Sequence, residues 1–185
     1  MTSKTRLIFL TAGTVIMMIV MTVTGRPMKH PATPMGIVNL ELASNADDVQ
    51  NILNAWDNDI SQHRDVLADA ITNTWLDFIL IIFYSFLFYF LCRISICVYI
   101  ANPALQKAGK ILSYAALIAG TLDYGENIGM LTSLNGHVSN AVAIFTATCS
   151  TCKWILVFAV ILYLIFTVAY KYLFKSDFKK SNVQN

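Results

Sequence analysis

"ALIAGTLDYGENIGMLTSL", residues 116–134, is apolar over most of its length yet carries Asp123, Glu126 and Asn127 near its centre. The flanks favour a membrane helix and the centre opposes one, because a charge at the bilayer midplane costs about 2.5–3.5 kcal/mol on insertion scales. Residues three and four apart share a helical face. The two acids and the amide therefore form one polar stripe, bordered by Gly120 and Tyr124. Such a stripe is tolerable where it faces other helices and finds partners there.

The rest of the chain supports the membrane reading. Of its 185 residues, 56% are hydrophobic and 13% charged, against roughly 45–50% and about 25% in a soluble domain. Four stretches approach the roughly 20 apolar residues that a spanning helix needs: 7–24, 76–99, 111–134 and the run 141–172. The expected fold is an all-α membrane protein, a four-transmembrane-helix antiparallel bundle with a small helical extracytoplasmic insert. Its parts are a first helix over 1–25, the insert over 26–74, the three-helix remainder over 75–175 and a tail over 176–185.

Lysine and arginine sort by loop. Lys4, Arg6, Arg93, Lys107, Lys110, Lys171, Lys175, Lys179 and Lys180 fall on one side, and Arg26, Lys29 and Arg64 on the other. The positive-inside rule then makes both termini of this multi-pass arrangement cytoplasmic. The insert is acidic, with those three positive groups against Glu41, Asp47, Asp48, Asp57, Asp59, Asp65 and Asp69. No basic patch points to nucleic acid. The start, "MTSKTRLIFLTAGTVIMMIVMTVTG", resembles a signal peptide, but its apolar run exceeds the usual 7–15 residues and no small-residue cleavage site follows. An uncleaved first helix is the expectation.

Within the insert, "GRPMKHPATPMG" is rich in proline and reads as an extended connector. "IVNLEL" (37–42) alternates apolar and polar residues as a short extended segment would. From Ser44 the pattern turns helical, with Ser44 as cap and Asp47 in the third position of a capping box. Val49, Ile52, Leu53 and Trp56 make one apolar face. That face must rest on the membrane surface, on the ends of the spans or on a partner, and it is the candidate partner surface. A second helical run beginning near Ser61 leads into span two, which Trp75 and Tyr99 bracket at the interfaces. Asn102-Pro103 closes the following turn.

Turn positions suggest what meets the polar stripe. With the last turn centred between Gly136 and Val138, Asp123 stands level with Cys152 and one residue from Lys153, the basic residue inside the last apolar run. Around Asn102-Pro103, Tyr84 and Ser85 come level with Asp123, and Asp77 lies on the same face as Tyr84. The candidate cluster is Asp77, Tyr84, Asp123, Glu126, Asn127 and Lys153. Two acids at mid-depth face one lysine, so one acid, Glu126, is expected to be neutral with Asn127 as its hydrogen-bond partner. Such a cluster can hold helices together, bind a ligand or lipid head group, or handle protons or catalysis.

"CSTC" (149–152) places Cys149 and Cys152 in a C-x-x-C. In a protein of four spans this resembles the quinone-linked thiol oxidoreductases of the vitamin K epoxide reductase type. Those enzymes also use a cysteine pair in an outer loop, and residues 25–74 hold no cysteine. Close packing by small residues is the plainer reading. His30, His63 and His137 form no metal-ligand spacing, no nucleotide or hydrolase motif occurs, and no cofactor is expected.

The order "NLELA…ILNAW…WLDFILIIFYS…AGTLDYGENIGML…CKWILVF" resembles a family of small bacterial membrane proteins of four predicted spans, marked by a D-x-x-E-N in the third. The resemblance covers most of residues 35–165. It implies topology and a bacterial inner-membrane location and singles out Asp77, Asp123, Glu126, Asn127 and Lys153, without implying a chemistry. The expected role is a non-enzymatic accessory component that binds lipid, another membrane protein or a second copy of itself. The alternative is an intramembrane enzyme or proton- or ion-coupled transporter using Asp123, Glu126 and Lys153, with thiol–quinone exchange as one form.

Overall fold

A computed structural model describes residues 3–58, 65–99 and 102–173. The tail 176–185, with Lys179 and Lys180, lies outside the described residues, as do Lys175, His63, Arg64 and the start of the helical run near Ser61. The described chain is helical: α1 (Ser3–Thr24), α2 (Ile37–Leu42), α3 (Ala46–Asp57), α4 (Val66–Ser95), α5 (Pro103–Leu134) and α6 (Asn140–Leu173). Three helical stretches, Lys4–Thr24, Val66–Val98 and Asn140–Leu173, are long and apolar enough to cross a membrane. α5 has the length, 32 residues, but is not among them, since its polar centre interrupts the apolar run.

Side chains set the helix starts. The Asp65 carboxylate accepts from Ala68 N–H at the head of α4. Asn102 accepts from Leu105 N–H ahead of Pro103, which occupies a first-turn position where no backbone donor is needed. α5 ends at Asn135 and Gly136, whose φ of +87° belongs to the left-handed region that glycine enters without penalty. The cap of α3 is Asn45, which accepts from Asp48 N–H at 2.8 Å, and not Ser44 with Asp47. Asn45 wins because its short amide stands at the extended residue next to the first helical N–H groups.

Two segments depart from the extended geometry expected of them. Residues 26–28 form a 3-10 turn, and 37–42 form α2. A lone extended segment would leave its backbone groups without partners, whereas a helix satisfies them internally. Gly36, at φ +65°, turns the chain into α2, and the Asn39 amide oxygen accepts from Met35 N–H. The helix also lets adjacent Leu40 and Glu41 both face inward. A strand would send them to opposite faces.

The buried side chains form three tiers. At one end, Met28, Leu40, Val49, Leu53, Trp56, Val66, Ala70, Met130, Leu134 and Ala143 make an apolar core shared by α2, α3 and the near ends of α4, α5 and α6. At the other end Cys92, Tyr99, Ala116, Val160 and Tyr163 make a second core. The polar stripe of α5 lies between them. The face of α3 proposed from sequence as a partner surface is thus spent inside the chain: Val49, Leu53 and Trp56 are buried and Ile52 is partly so. Of the three resting places open to it, it takes the ends of the long helices. The Trp56 indole N–H donates to Met28 C=O at 3.1 Å and to Thr33 Oγ1 at 3.0 Å. Tyr99 is also buried. Its hydroxyl bonds Thr167 at 2.8 Å among the rings of Tyr163 and Tyr170.

Small residues set how closely the helices approach. A Cβ added at Gly129 would collide with Thr146 of α6, and one at Gly120 would lie 2.8 Å from Ser85 Cβ of α4. α1 packs along α4, with Gly13 seated against the Phe83 ring, and Asn73 of α4 donates to Thr24 Oγ1 and Met21 C=O at its end.

Two stability tests follow from this packing. Trp56→Ala removes a fully buried ring and leaves Met28 C=O and Thr33 short of a donor; it is expected to cost about 3–5 kcal/mol, read as a lowered thermal midpoint in mild detergent. Gly129→Ala is expected to cost about 1–3 kcal/mol by overpacking, and adding Thr146→Ala should return much of the loss in the same assay.

Candidate functional site

Lys153, in the middle of α6, donates to Asp123 Oδ1 at 2.7 Å and to Glu126 Oε1 at 2.8 Å. Both acids lie on one face of α5 because three residues separate them. Glu126 Oε2 is equally near the ammonium, at 2.8 Å, but off the direction of a hydrogen bond, so it lacks a donor of its own. Tyr84 of α4 donates to Asp123 Oδ2 at 2.7 Å. Asn127 donates from Nδ2 to Asp77 Oδ2 at 2.9 Å.

All six residues of the candidate cluster stand in this network. Its internal pairing differs from the expected one in two respects. Asn127 serves Asp77 across the α4–α5 contact and not its own neighbour Glu126, because adjacent residues of a helix point about 100° apart while Asp77 faces the amide directly. Glu126, expected as the surplus acid left over from the pairing with the lysine, also accepts from its ammonium.

A seventh member comes from the insert. Glu41 of α2 brings Oε2 to 3.7 Å from Lys153 Nζ. Spacing offers no route to that contact, as Glu41 lies far from Lys153 in sequence and was counted among the acids of the outer segment. Its neighbours give no signal either: Glu41 follows the buried Leu40, but the leucine on its other side, Leu42, is exposed.

The cluster borders a half-enclosed cavity of about 320 Å³ between α1, α4, α5 and α6, with α2 at one end. Glu41, Asp77, Asp123, Asn127 and Lys153 form its polar part. From there an apolar stripe runs along Tyr84 and Phe88 of α4 and along Trp154, Val157 and Ile161 of α6, and α1 adds Thr14, Met18 and Met21 to the lining. Lys153 to Ile161 is eight residues, about 12 Å of helix.

Other candidates are placed elsewhere. Cys149 and Cys152 are both free thiols, one buried and the other exposed. Cys149 Sγ lies 3.4 Å from where a Gly125 Cβ would sit, so its small size lets α5 and α6 approach. Among the described residues, no group of three or more His, Cys, Asp or Glu side chains is arranged to hold a metal ion. Against this geometry the comparisons with known proteins are silent: no family model, curated protein or solved structure matches the chain.

Removing the shared cation should leave several buried carboxylates uncompensated. Lys153→Met is expected to cost about 3–5 kcal/mol, seen as loss of monodisperse protein on size exclusion. Adding Glu126→Gln to that variant removes one stranded charge and should recover part of the yield; no recovery would argue against charge imbalance as the cause.

Proposed function

We propose that this protein is a four-span, antiparallel helical bundle of the bacterial inner membrane with both termini cytoplasmic, acting as a non-enzymatic component that binds an amphipathic lipid. In this reading α5 is the fourth span. Its acids are accommodated because the lysine of α6 and the tyrosine of α4 meet them inside the bundle, the situation in which intramembrane charges persist. The sorting of lysine and arginine supports the orientation, and residues 26–74 then form an outer cap. The similarity to small membrane proteins with a D-x-x-E-N in the third span belongs to the same proposal.

The observation that carries lipid binding is the shape of the cavity, a polar end continuous with an apolar stripe. Small-molecule sites are typically concave and mostly apolar with a few convergent polar groups. The cavity is bordered by α1 and α6, helices whose exposed large side chains include the apolar Met18, Phe158 and Leu162. Only 11% of the apolar window of α1 is buried by protein, so acyl chains would cover the rest and have direct access to the cavity.

A second reading, proton- or ion-coupled transport, is favoured by one observation, the gathering of Glu41, Asp77, Asp123 and Glu126 around a single lysine. Proton or cation flux into liposomes that disappears in Asp77→Asn would select it. For lipid binding the test is gentle extraction followed by native mass spectrometry. A single amphiphile retained in about 1:1 ratio, and lost when Val157→Trp fills the apolar stripe, is the expected result. A bare chain, or a chain retained only with a protein partner, would overturn it.

A further inference from the structure

The hydrogen-bonding groups around the cavity are unbalanced in one direction. Most side-chain donors traced at its polar end are committed inside the chain: two of the three Lys153 N–H groups to Asp123 and Glu126, with Glu41 Oε2 at 3.7 Å from the same nitrogen, Asn127 Nδ2 to Asp77, Tyr84 to Asp123 and Thr74 to Ala70 C=O. Two buried acceptors on residues that border the cavity make no hydrogen bond, Glu41 Oε2 and Asn127 Oδ1. Glu41 is 8% exposed and Asn127 not at all. An acceptor left dry and unpaired loses its hydration without compensation.

Charge is unbalanced in the same sense. Glu41, Asp77 and Asp123 border the cavity, with Glu126 directly behind them, and the one cation among these groups is Lys153. The chemical complement of surplus acceptors and surplus negative charge is a group that brings both N–H donors and positive charge. An ammonium supplies three donors on a compact centre. Charge-assisted hydrogen bonds to carboxylate are the strong class of such bonds. A phosphate or carboxylate head group would instead meet acceptors it cannot satisfy and charges that repel it.

Building on the lipid-binding reading above, we infer that the cavity is selective for a primary ammonium carried on an apolar chain, its nitrogen set between Glu41 Oε2 and Asn127 Oδ1 and its chain lying along Val157 and Ile161. Each part of the ligand has a separate reason. The donors answer the unpaired oxygens, the charge answers the carboxylates, and the chain answers the stripe that continues away from Lys153. Glu41 makes the site depend on the cap, because α2 delivers that carboxylate to a cluster otherwise built by the three long helices.

The experiment is a fluorescence titration of the full chain in neutral maltoside micelles at pH 7, with four probes that separate these parts. Dodecylamine has chain, charge and donors; dodecyltrimethylammonium has chain and charge without donors; dodecanol has the chain with an uncharged hydroxyl; ethylamine has the charged donor group with almost no chain. Dodecylamine is expected to bind saturably and about tenfold tighter than either dodecyl control, the effect of one hydrogen bond to a charged group. Ethylamine should be weaker again, which distinguishes an amphiphile from a free amine. Glu41→Gln should narrow the preference for dodecylamine while leaving dodecanol unchanged. Saturable binding of all three dodecyl probes with equal affinity would overturn the ammonium inference and leave the lipid cavity standing. Absence of saturable binding by any probe would overturn both. Should Glu41→Gln fail to fold, the ranking of the four probes on the unaltered chain still decides.

Discussion

The structure turns on one ammonium group shared by two carboxylates inside a helical stack. Lys153 reaches Asp123 and Glu126 at once, and that contact explains how a long helix can carry two acids at its centre. Burying charged groups costs several kcal/mol per ion even after relaxation, and their mutual attraction offsets this only with close geometry and additional hydrogen bonds. The additional bonds are present: Tyr84 completes Asp123, and Asn127 ties the same face of α5 to Asp77 of α4. The polar tier therefore fixes register. A slide of α6 by one turn along α5 would move Lys153 about 5.4 Å, out of reach of at least one acid, whereas the apolar tiers on either side would tolerate sliding far better.

Those apolar tiers hold the helices near enough for the contact to form. Gly129 facing Thr146 and Gly120 facing Ser85 bring the backbones of neighbouring helices closer than larger side chains would permit, as small residues do wherever helices associate in lipid. Cys149 beside Gly125 belongs to the same pattern. The C-x-x-C is in this respect a packing feature of α6, and the structure brings no second thiol pair to it among the described residues.

The insert is a cap that reaches inward. Its core around Trp56 joins α2 and α3 to the ends of α4, α5 and α6, and the amphipathic face of α3 is consumed in doing so. One turn of α2 carries Glu41 down to Lys153. The insert and the polar tier are consequently one unit, and a change in the seating of the cap would alter the charge balance of the cavity directly. This linkage is what makes the cavity more than a gap between helices: one of its walls belongs to a different part of the chain from the rest.

The helical class, the long apolar elements and much of the polar cluster were legible in the sequence because each depends on local periodicity or on a short turn. Asp123 and Glu126 share a face by spacing alone. The turn near Gly136 brings Lys153 to their level, and the turn at Asn102-Pro103 does the same for Tyr84. The conformation of residues 37–42, the fate of the Val49–Trp56 face, the burial of Tyr99 and the pairing of Asn127 with Asp77 were decided by tertiary structure. In each case two local outcomes have similar free energy, and contacts with residues distant in sequence choose between them. Glu41 is the clearest instance. Nothing local separates it from the other acids of its segment, and only the docking of the cap on the long helices makes it part of the site.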